Sequence, residues 1–257
     1  MLTVALRLHF GYLYFIIFWF SKLLSDCQAM SNNILAIIPA YNEEECLEST
    51  VEELKRVAPD VDFIVVNDGS TDGTGDICRR NSYPMLDLPV NSGLTVGFQT
   101  GMKYADRNGY RYVVQFDADG QHMPEVLKSM RFKMDESDAD VVIGSRFVQF
   151  KKEHSARMFG ARIITFIIKL TTGKRVSDPT SGLRMYNRRM IELFARDLSL
   201  NPEPETIAFL IRKGAKVEEV QVSMRERQAG ESYLNLKRSA AYMIRVCTSI
   251  LFVQWFR

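Results

Sequence analysis

The sequence predicts an α/β fold with a mostly parallel central sheet flanked by helices, and three features of its 257 residues predict it. From Asn33 onward, short apolar runs alternate with amphipathic stretches. The runs are short and apolar throughout, as strands covered on both faces require. Polar clusters follow the first, second and fourth runs, at Tyr41 to Glu44, Asp68 to Asp72 and Asp117 to His122. A strand–helix–strand order gives parallel strands, and ligands of such sheets sit at the strands' carboxyl ends.

The elements follow in order. Ile34 to Pro39 (ILAIIP) reads as the first strand. Asn42, with Glu45 three residues on, reads as a capping pair for a helix with the apolar stripe Leu47, Val51, Leu54 and Val57. Phe63 to Val66 is a strand ending in the turn sequence Asn67-Asp68-Gly69-Ser70. A short helix near Thr74 to Arg80 leads to a strand at Met85 to Leu88, and Gly93 opens a helix running to about Arg107. Tyr112 to Phe116 is a strand, Pro124 starts a helix, and Val141 to Ile143 is a strand. The second half is less regular: an amphipathic helix over Ala156 to Leu170, a loop and strand over Asp178 to Tyr186, and a helix from Glu205 to Lys213 stopped by Gly214. A strand at Val217 to Val222 and an apolar helix from Ser239 to Phe256 complete the chain.

A net charge of +2 gives no case for a partner of nucleic acid, although basic residues gather in the C-terminal half. Such a cluster suits an anionic acceptor or a membrane surface as well as a solvated face. Cys27, Cys46, Cys78 and Cys247 are scattered, which suggests reduced thiols rather than a zinc site or disulfide framework. The apolar run Phe10 to Phe20 is shorter than a bilayer span requires. Residues 1–29 read as a short anchor, a cleaved signal, or sequence upstream of a true start at Met30.

Asp117 and Asp119 carry the sharpest chemical signal. Alternate residues at a strand end point the same way, so both carboxylates can face one site, and Gln121 continues the spacing. Hard oxygen ligands of this kind suit Mg²⁺ or Mn²⁺ bound together with substrate phosphates. A solvated acidic turn is the plain alternative. Asp68 can accept hydrogen bonds from a base or ribose, or simply shape its turn. Pro39, Tyr41 and Glu43 can frame the same nucleotide, while Glu43 and Glu44 also suit a helix N-terminus.

The segments IIPAYNEE (Ile37 to Glu44), VNDGSTDGT (Val66 to Thr74), QFDADGQH (Gln115 to His122), GSRF (Gly144 to Phe147) and SDPTSGLRMYNR (Ser177 to Arg188) resemble family 2 glycosyltransferases. The similarity covers roughly Asn33 to Leu236 and is strongest to the dolichol- or polyprenyl-phosphate mannose and glucose synthase branch. It implies a GT-A fold, an inverting mechanism, and a UDP- or GDP-sugar donor. It assigns Pro39, Tyr41, Glu43, Val66 and Asp68 to the nucleotide with Asp117 beside them, and Asp117, Asp119 and Gln121 to Mg²⁺ or Mn²⁺. It assigns Arg146, Arg157 and Arg227 to the acceptor phosphate, with Arg162 as an alternative to Arg157, and leaves the role of Arg184 open. Asp119, Arg146 and Arg227 are thus the expected catalytic residues. Arginine suits phosphate because its planar fork donates two bonds at once, although surface ion pairs would use the same residues. An anionic phosphate acceptor also needs no strong general base.

Two departures from that branch keep other acceptors open. Many of its members carry a pair of transmembrane helices after the catalytic domain, and this sequence stops at Arg257. NPEPETIAF (Asn201 to Phe209) and RERQAGESYLN (Arg225 to Asn235) resemble a subgroup found with polysaccharide biosynthesis. For a glycan hydroxyl acceptor, Glu203, Glu205 and Asp178 are the candidate bases. A non-catalytic nucleotide-sugar-binding subunit and a nucleotidyltransferase are the remaining alternatives. The organisation expected is an N-terminal segment 1–29, a GT-A domain over 30–236, and a helix over 237–257. That helix, with Arg238, Arg245 and Arg257, lies on a membrane or a membrane partner, or else packs on the domain. His122 is expected in the site wall rather than on the metal. The enzyme is expected at the cytoplasmic face of the membrane, peripheral or singly anchored.

Overall fold

The computed structural model describes residues 34–148, 156–225 and 236–252, with side chains from 160 in the second span and from 241 in the third. The segment 1–29, Arg227 and the Arg157 side chain lie outside the described residues. Seven strands form one sheet in the order β3-β2-β1-β4-β6-β5-β7. They are β1 (Ile34–Ala40), β2 (Val61–Asp68), β3 (Met85–Leu88), β4 (Tyr112–Gln115), β5 (Val141–Ser145), β6 (Arg184–Asn187) and β7 (Val217–Gln221). The helices are α1 (Leu47–Val57), α2 (Thr74–Arg80), α3 (Leu94–Arg107), α4 (Val126–Ser137), α5 (Ala156–Thr172), α6 (Arg188–Arg196), α7 (Pro204–Arg212) and α8 (Leu236–Leu251).

Strand alternation sorts the apolar residues into two cores, one per face. Leu35, Ile37, Ile64, Val66, Val113 and Ile143 meet Phe98 and Met102 of α3, Ile164 and Ile168 of α5, Phe194 of α6 and Ile207 of α7. Ala36, Ile38, Val65, Val114 and Val142 meet Val51 and Leu54 of α1, Ile77 of α2, and Leu127 and Met130 of α4. Covering both faces is why these strands read as apolar runs rather than alternating ones. Val246 and Ile250 of α8 are fully buried in the first core. Burial of two such side chains stabilises the docked helix by about 3 to 6 kcal/mol.

The sheet departs from parallel order at one strand. β6 runs antiparallel to both neighbours, with Gln115↔Arg184 on β4 and Ile143↔Arg184 on β5. The chain following β5 and the chain preceding β6 therefore share the carboxyl edge of β4.

One local expectation is corrected. Asn42 does not cap α1: its Oδ1 accepts from the Thr71 N–H at 2.9 Å, and the helix starts only at Leu47. The Glu43 carbonyl accepts from Cys46 and Leu47 N–H instead, so a backbone turn replaces the side-chain cap. Helix α6 is not among the expected elements: it follows β6 without a linker, and its polar start obscures the stripe of Met190, Ile191 and Phe194. Asn187 caps it by accepting from the Met190 N–H at 3.0 Å.

Candidate functional site

The carboxyl ends of β1, β2 and β4 lie level. Pro39 pairs with Val66 across β1 and β2, and Ile37 pairs with Gln115 across β1 and β4. The polar residues following these strands therefore come together, as their order along the chain predicts.

On the β1–β2 side, two loops are laced into one wall. The Asn42 N–H donates to Ser70 Oγ at 3.0 Å and the Glu43 N–H to Thr74 Oγ1 at 2.9 Å. The Glu44 carboxylate accepts the Gly73 N–H at 2.7 Å. Tyr41 and Glu43 are half-buried on this wall. Val66 is fully buried with its side chain in the core, which leaves its backbone for any ligand contact.

Asp68 braces a neighbouring segment rather than its own turn. Its Oδ1 accepts the Ser92 N–H at 2.8 Å and its Oδ2 the Gly93 N–H at 2.7 Å, bracing the start of α3. Each carboxylate oxygen has a second lone pair to offer. Asn67 shapes the turn, accepting the Ser70 N–H at 3.3 Å. Gly69 has φ +65°, and a Cβ there would sit 2.4 Å from the Val90 carbonyl carbon. Only glycine combines that conformation with that approach.

Just beyond β4, Asp117 is about a third exposed (36%) at its side chain, whereas Asp119 as a residue is 4% exposed. Gln115 Nε2 donates to Asp117 Oδ1 at 3.2 Å. The Asp117 N–H donates to His122 Nδ1 at 3.1 Å, so the neutral imidazole is assigned its proton on Nε2, which lies 3.6 Å from Asp117 Oδ2. His122 thus braces Asp117, as a site-wall residue. Asp119 Oδ1 accepts the Gln121 N–H at 3.1 Å, and Thr50 of α1 donates to the Ala118 carbonyl at 3.0 Å. A Cβ on Gly182 would stand 2.8 Å from Asp117 Oδ2, so the absent side chain keeps space beside that carboxylate.

These residues fit a hard divalent cation: Asp117, Asp119 and the Gln121 amide offer oxygen donors, and Gly182 leaves room beside Asp117. Among the described residues no group of three or more His, Cys, Asp and Glu side chains gathers as a metal site by itself. Such a set suits a cation that completes its shell with water and substrate phosphate.

Arg146 follows β5 and is held by Asp178, which is fully buried. Its Nε and Nη2 donate to the two carboxylate oxygens at 2.7 and 3.0 Å, and its backbone N–H donates at 3.2 Å. Its side chain is still 28% exposed. Arg184 is buried on β6, donating to the carbonyls of Ser181 and Pro179 at 2.9 Å each. These bonds give Arg184 the role that its sequence context leaves open: it fastens the loop carrying Asp178 and Gly182.

Arg225 donates through its backbone to the Gln121 carbonyl at 3.1 Å. Its guanidinium grips Glu53 of α1 at 2.7 and 2.9 Å, and these bonds hold the Glu53 carboxyl below the usual range. Of the three alternative bases, Asp178 and Glu203 are engaged in hydrogen bonds, and Oε2 of Glu205 is buried without a hydrogen-bond partner. Asp178 holds Arg146, Glu203 accepts from the Tyr242 hydroxyl at 2.6 Å, and buried Glu205 lies 3.6 Å from Arg245. Burial, reinforced by Glu203, pushes the Tyr242 hydroxyl well up.

Sequence reading placed His122 in the site wall without naming its contact, and missed Gly182, the Gln115 brace on Asp117, and the Glu53–Arg225 pair. Gln115 had a signal, being two residues before Asp117 on one strand face; the others join residues distant in sequence or bent back by a turn.

Comparison with known proteins agrees with this geometry. The chain is 30% identical over 228 residues to the polyprenol monophosphomannose synthase of Mycolicibacterium smegmatis, covering 82% of this chain and 84% of the relative. It is 32% identical over 214 residues to the undecaprenyl-phosphate mannosyltransferase of Micrococcus luteus, covering 79% and 87%. Among solved structures, glucosyl-3-phosphoglycerate synthase of Mycobacterium tuberculosis, in complex with Mn²⁺ and UDP-glucose, superposes with a TM-score of 0.65 at 18% identity. That match covers 88% of this chain and 79% of the synthase, and it supports the GT-A fold. The pattern of Glycosyl transferase family 2 matches residues 35–194, more than half of the sequence, and the chain belongs to that family.

Proposed function

We propose that the chain transfers a sugar from a UDP- or GDP-sugar to a polyprenyl phosphate, with inversion at the anomeric carbon. The observation that carries this reading is the loop over 178–182. Gly182 abuts Asp117, and Asp178 holds Arg146. Four residues span at most about 14 Å, so one short loop ties a carboxylate suited to a metal diphosphate to a guanidinium suited to a phosphate. The two mannosyl transferases named above act, by their names, on polyprenol or undecaprenyl phosphate.

In this reading Pro39, Tyr41, Glu43, Val66 and Asp68 seat the nucleotide. Asp117, Asp119 and Gln121 hold Mg²⁺ or Mn²⁺, which when bound neutralises charge developing on the diphosphate leaving group. Arg146, with Arg157 and Arg227, orients the anionic acceptor for attack from the opposite face. Arg225, tied to Gln121, brings the chain to the site two residues before Arg227. A phosphate acceptor is already ionised, which agrees with the engagement of Asp178 and Glu203 in other bonds.

The same reading places the enzyme at the cytoplasmic face of a membrane. No helix among the described residues is long and apolar enough to cross one. α5 instead exposes Phe166 and Leu170 near Arg162 and Lys169, and the outer face of α8 exposes Ile244, with Phe252 just beyond the helix. Apolar side chains flanked by basic ones suit an anionic lipid interface.

Radiolabelled sugar transfer from a panel of UDP- and GDP-sugars to undecaprenyl phosphate, with Mg²⁺ or Mn²⁺ and then EDTA, tests the proposal. Label entering the organic phase and lost with EDTA supports it. Metal-dependent donor hydrolysis with no lipid label at any donor sinks the acceptor assignment.

A further inference from the structure

We propose that Glu219 and Gln221 of β7 are positioning residues that set the orientation of Arg146. β7 lies parallel to β5 at the edge of the sheet, with Ile143↔Glu219 and Ser145↔Gln221 in register. Residues two apart on a strand share a face, so both side chains reach the same segments. Glu219 accepts two backbone N–H groups, Ser177 on Oε2 at 2.8 Å and Asp178 on Oε1 at 2.9 Å. Gln221 Nε2 donates to the Arg146 carbonyl at 3.0 Å. One residue therefore fixes the backbone that carries Asp178, and the other fixes the backbone that carries Arg146. Between them the Asp178 carboxylate takes three bonds from Arg146.

The Asp178 side of this clamp is stiff. Pro179 follows Asp178 and restricts its backbone. Thr180 Oγ1 donates to Asp178 Oδ1 at 3.2 Å, and Ser181 Oγ donates to the Gly144 carbonyl at 2.6 Å. A shift at residues 177–178 is thus passed to the guanidinium rather than absorbed locally. A carboxylate is the right group on Glu219, because both of its partners are donors. The amide introduced by Glu219→Gln would keep one bond and turn its NH₂ against the other N–H.

For the consequence in turnover, the inference rests on the proposed role of Arg146 toward an anionic acceptor. The test has two readouts. In ¹⁵N-labelled protein, the Arg146 Nε–H resonance, assigned by its loss in Arg146→Lys, is expected to shift or broaden in Glu219→Gln. It is expected to return toward its original position in Glu219→Asp, which keeps two acceptor oxygens. In transfer assays, Glu219→Gln is expected to raise the acceptor KM about tenfold, the scale of one charge-assisted hydrogen bond, and to leave the donor KM unchanged. In the Arg146→Lys background, Glu219→Gln is expected to add nothing further. An unmoved Arg146 resonance in Glu219→Gln overturns the proposal, as does a full tenfold effect in the Arg146→Lys background. A resonance that moves with no change in acceptor KM upholds the positioning link and places the failure in the acceptor role of Arg146. If Glu219→Gln fails to fold, Gln221→Met removes the bond to the Arg146 carbonyl and is read by the same resonance: movement supports the proposal and an unmoved signal overturns it.

Discussion

Replacing Gly182 by alanine tests the Asp117 site through a side chain that is absent. Gly182 lies outside the left-handed region, so alanine meets no backbone penalty there. Its Cβ would stand 2.8 Å from Asp117 Oδ2, where ordinary contact begins at 3.4 Å, so the carboxylate must retreat by about 0.6 Å. The nearest atom is the far end of a side chain, and the next, Asp117 Cγ and Gln115 Nε2, are 3.7 Å away, so the fold accommodates the change by rotating Asp117. Catalytic groups must be held to about 0.5 Å, and a misplacement near 1 Å costs about a hundredfold. The expected loss in kcat/KM is about tenfold to a hundredfold, or about 1.4 to 2.7 kcal/mol of transition-state stabilisation. The assay is sugar transfer across a titration of Mg²⁺ and Mn²⁺, with thermal melting in parallel. We expect the metal concentration at half-maximal rate to rise while the melting temperature stays close to wild type. Unchanged transfer with an unchanged metal midpoint would refute the assignment of Asp117 to the metal diphosphate. A collapse in melting temperature would refute the claim that the space beside it is functional rather than structural.

Gly69→Ala meets rigid backbone at 2.4 and 2.5 Å in a left-handed conformation, and is expected to cost about 3 kcal/mol, or about 10 °C in Tm, by calorimetry. Asp68→Asn keeps one acceptor for the Ser92 and Gly93 amides and is expected to raise the donor KM about tenfold with the acceptor KM unchanged; the reverse pattern would remove Asp68 from the nucleotide side. The Glu53 carboxyl is held low by Arg225, so the stability it contributes is full above the unfolded value of about 4.3 and is lost as pH falls through the lower folded value. The Tm difference between wild type and Glu53→Gln should therefore be constant above about pH 5 and vanish in acid; a difference that persists or grows in acid would contradict the pairing. Phe166→Ser with Leu170→Ser is expected to reduce co-sedimentation with anionic vesicles without altering donor binding, and unchanged sedimentation would remove α5 from the membrane face.

What sequence reading recovered follows from how local each signal is. The strands of the first half and helices α1 to α3 carry their own periodicity, and their polar ends point at one edge for topological reasons alone. The position of Asp68, Asp117 and Asp119 at one edge of the sheet was therefore legible before any coordinate. The loop conformations were less so. Asn42 has the composition of a helix cap, yet Thr71, twenty-nine residues away, competes successfully for its oxygen. Arg146 was singled out by the family resemblance, but its bonds to Asp178 and the backbone bonds made by Glu219 and Gln221 join segments that meet only in the finished sheet. α6 had a signal in Met190, Ile191 and Phe194, all buried, which the polar start of the helix obscured.

The reversed strand β6 has a consequence for how acceptors change over time. β5 and β6 are antiparallel hydrogen-bonded neighbours, so residues 146–183 leave and re-enter the sheet through adjacent positions on one edge. In topological terms this stretch, helix α5 included, is an enlarged hairpin loop, and a loop of that kind can be replaced without re-registering a single strand. The polar wall at the carboxyl ends of β1, β2 and β4 is not interrupted by it. On the proposed reading, a change of acceptor can therefore be concentrated in 146–183, provided that the incoming loop still suits positions 219 and 221 and refills the core places of Ile164 and Ile168.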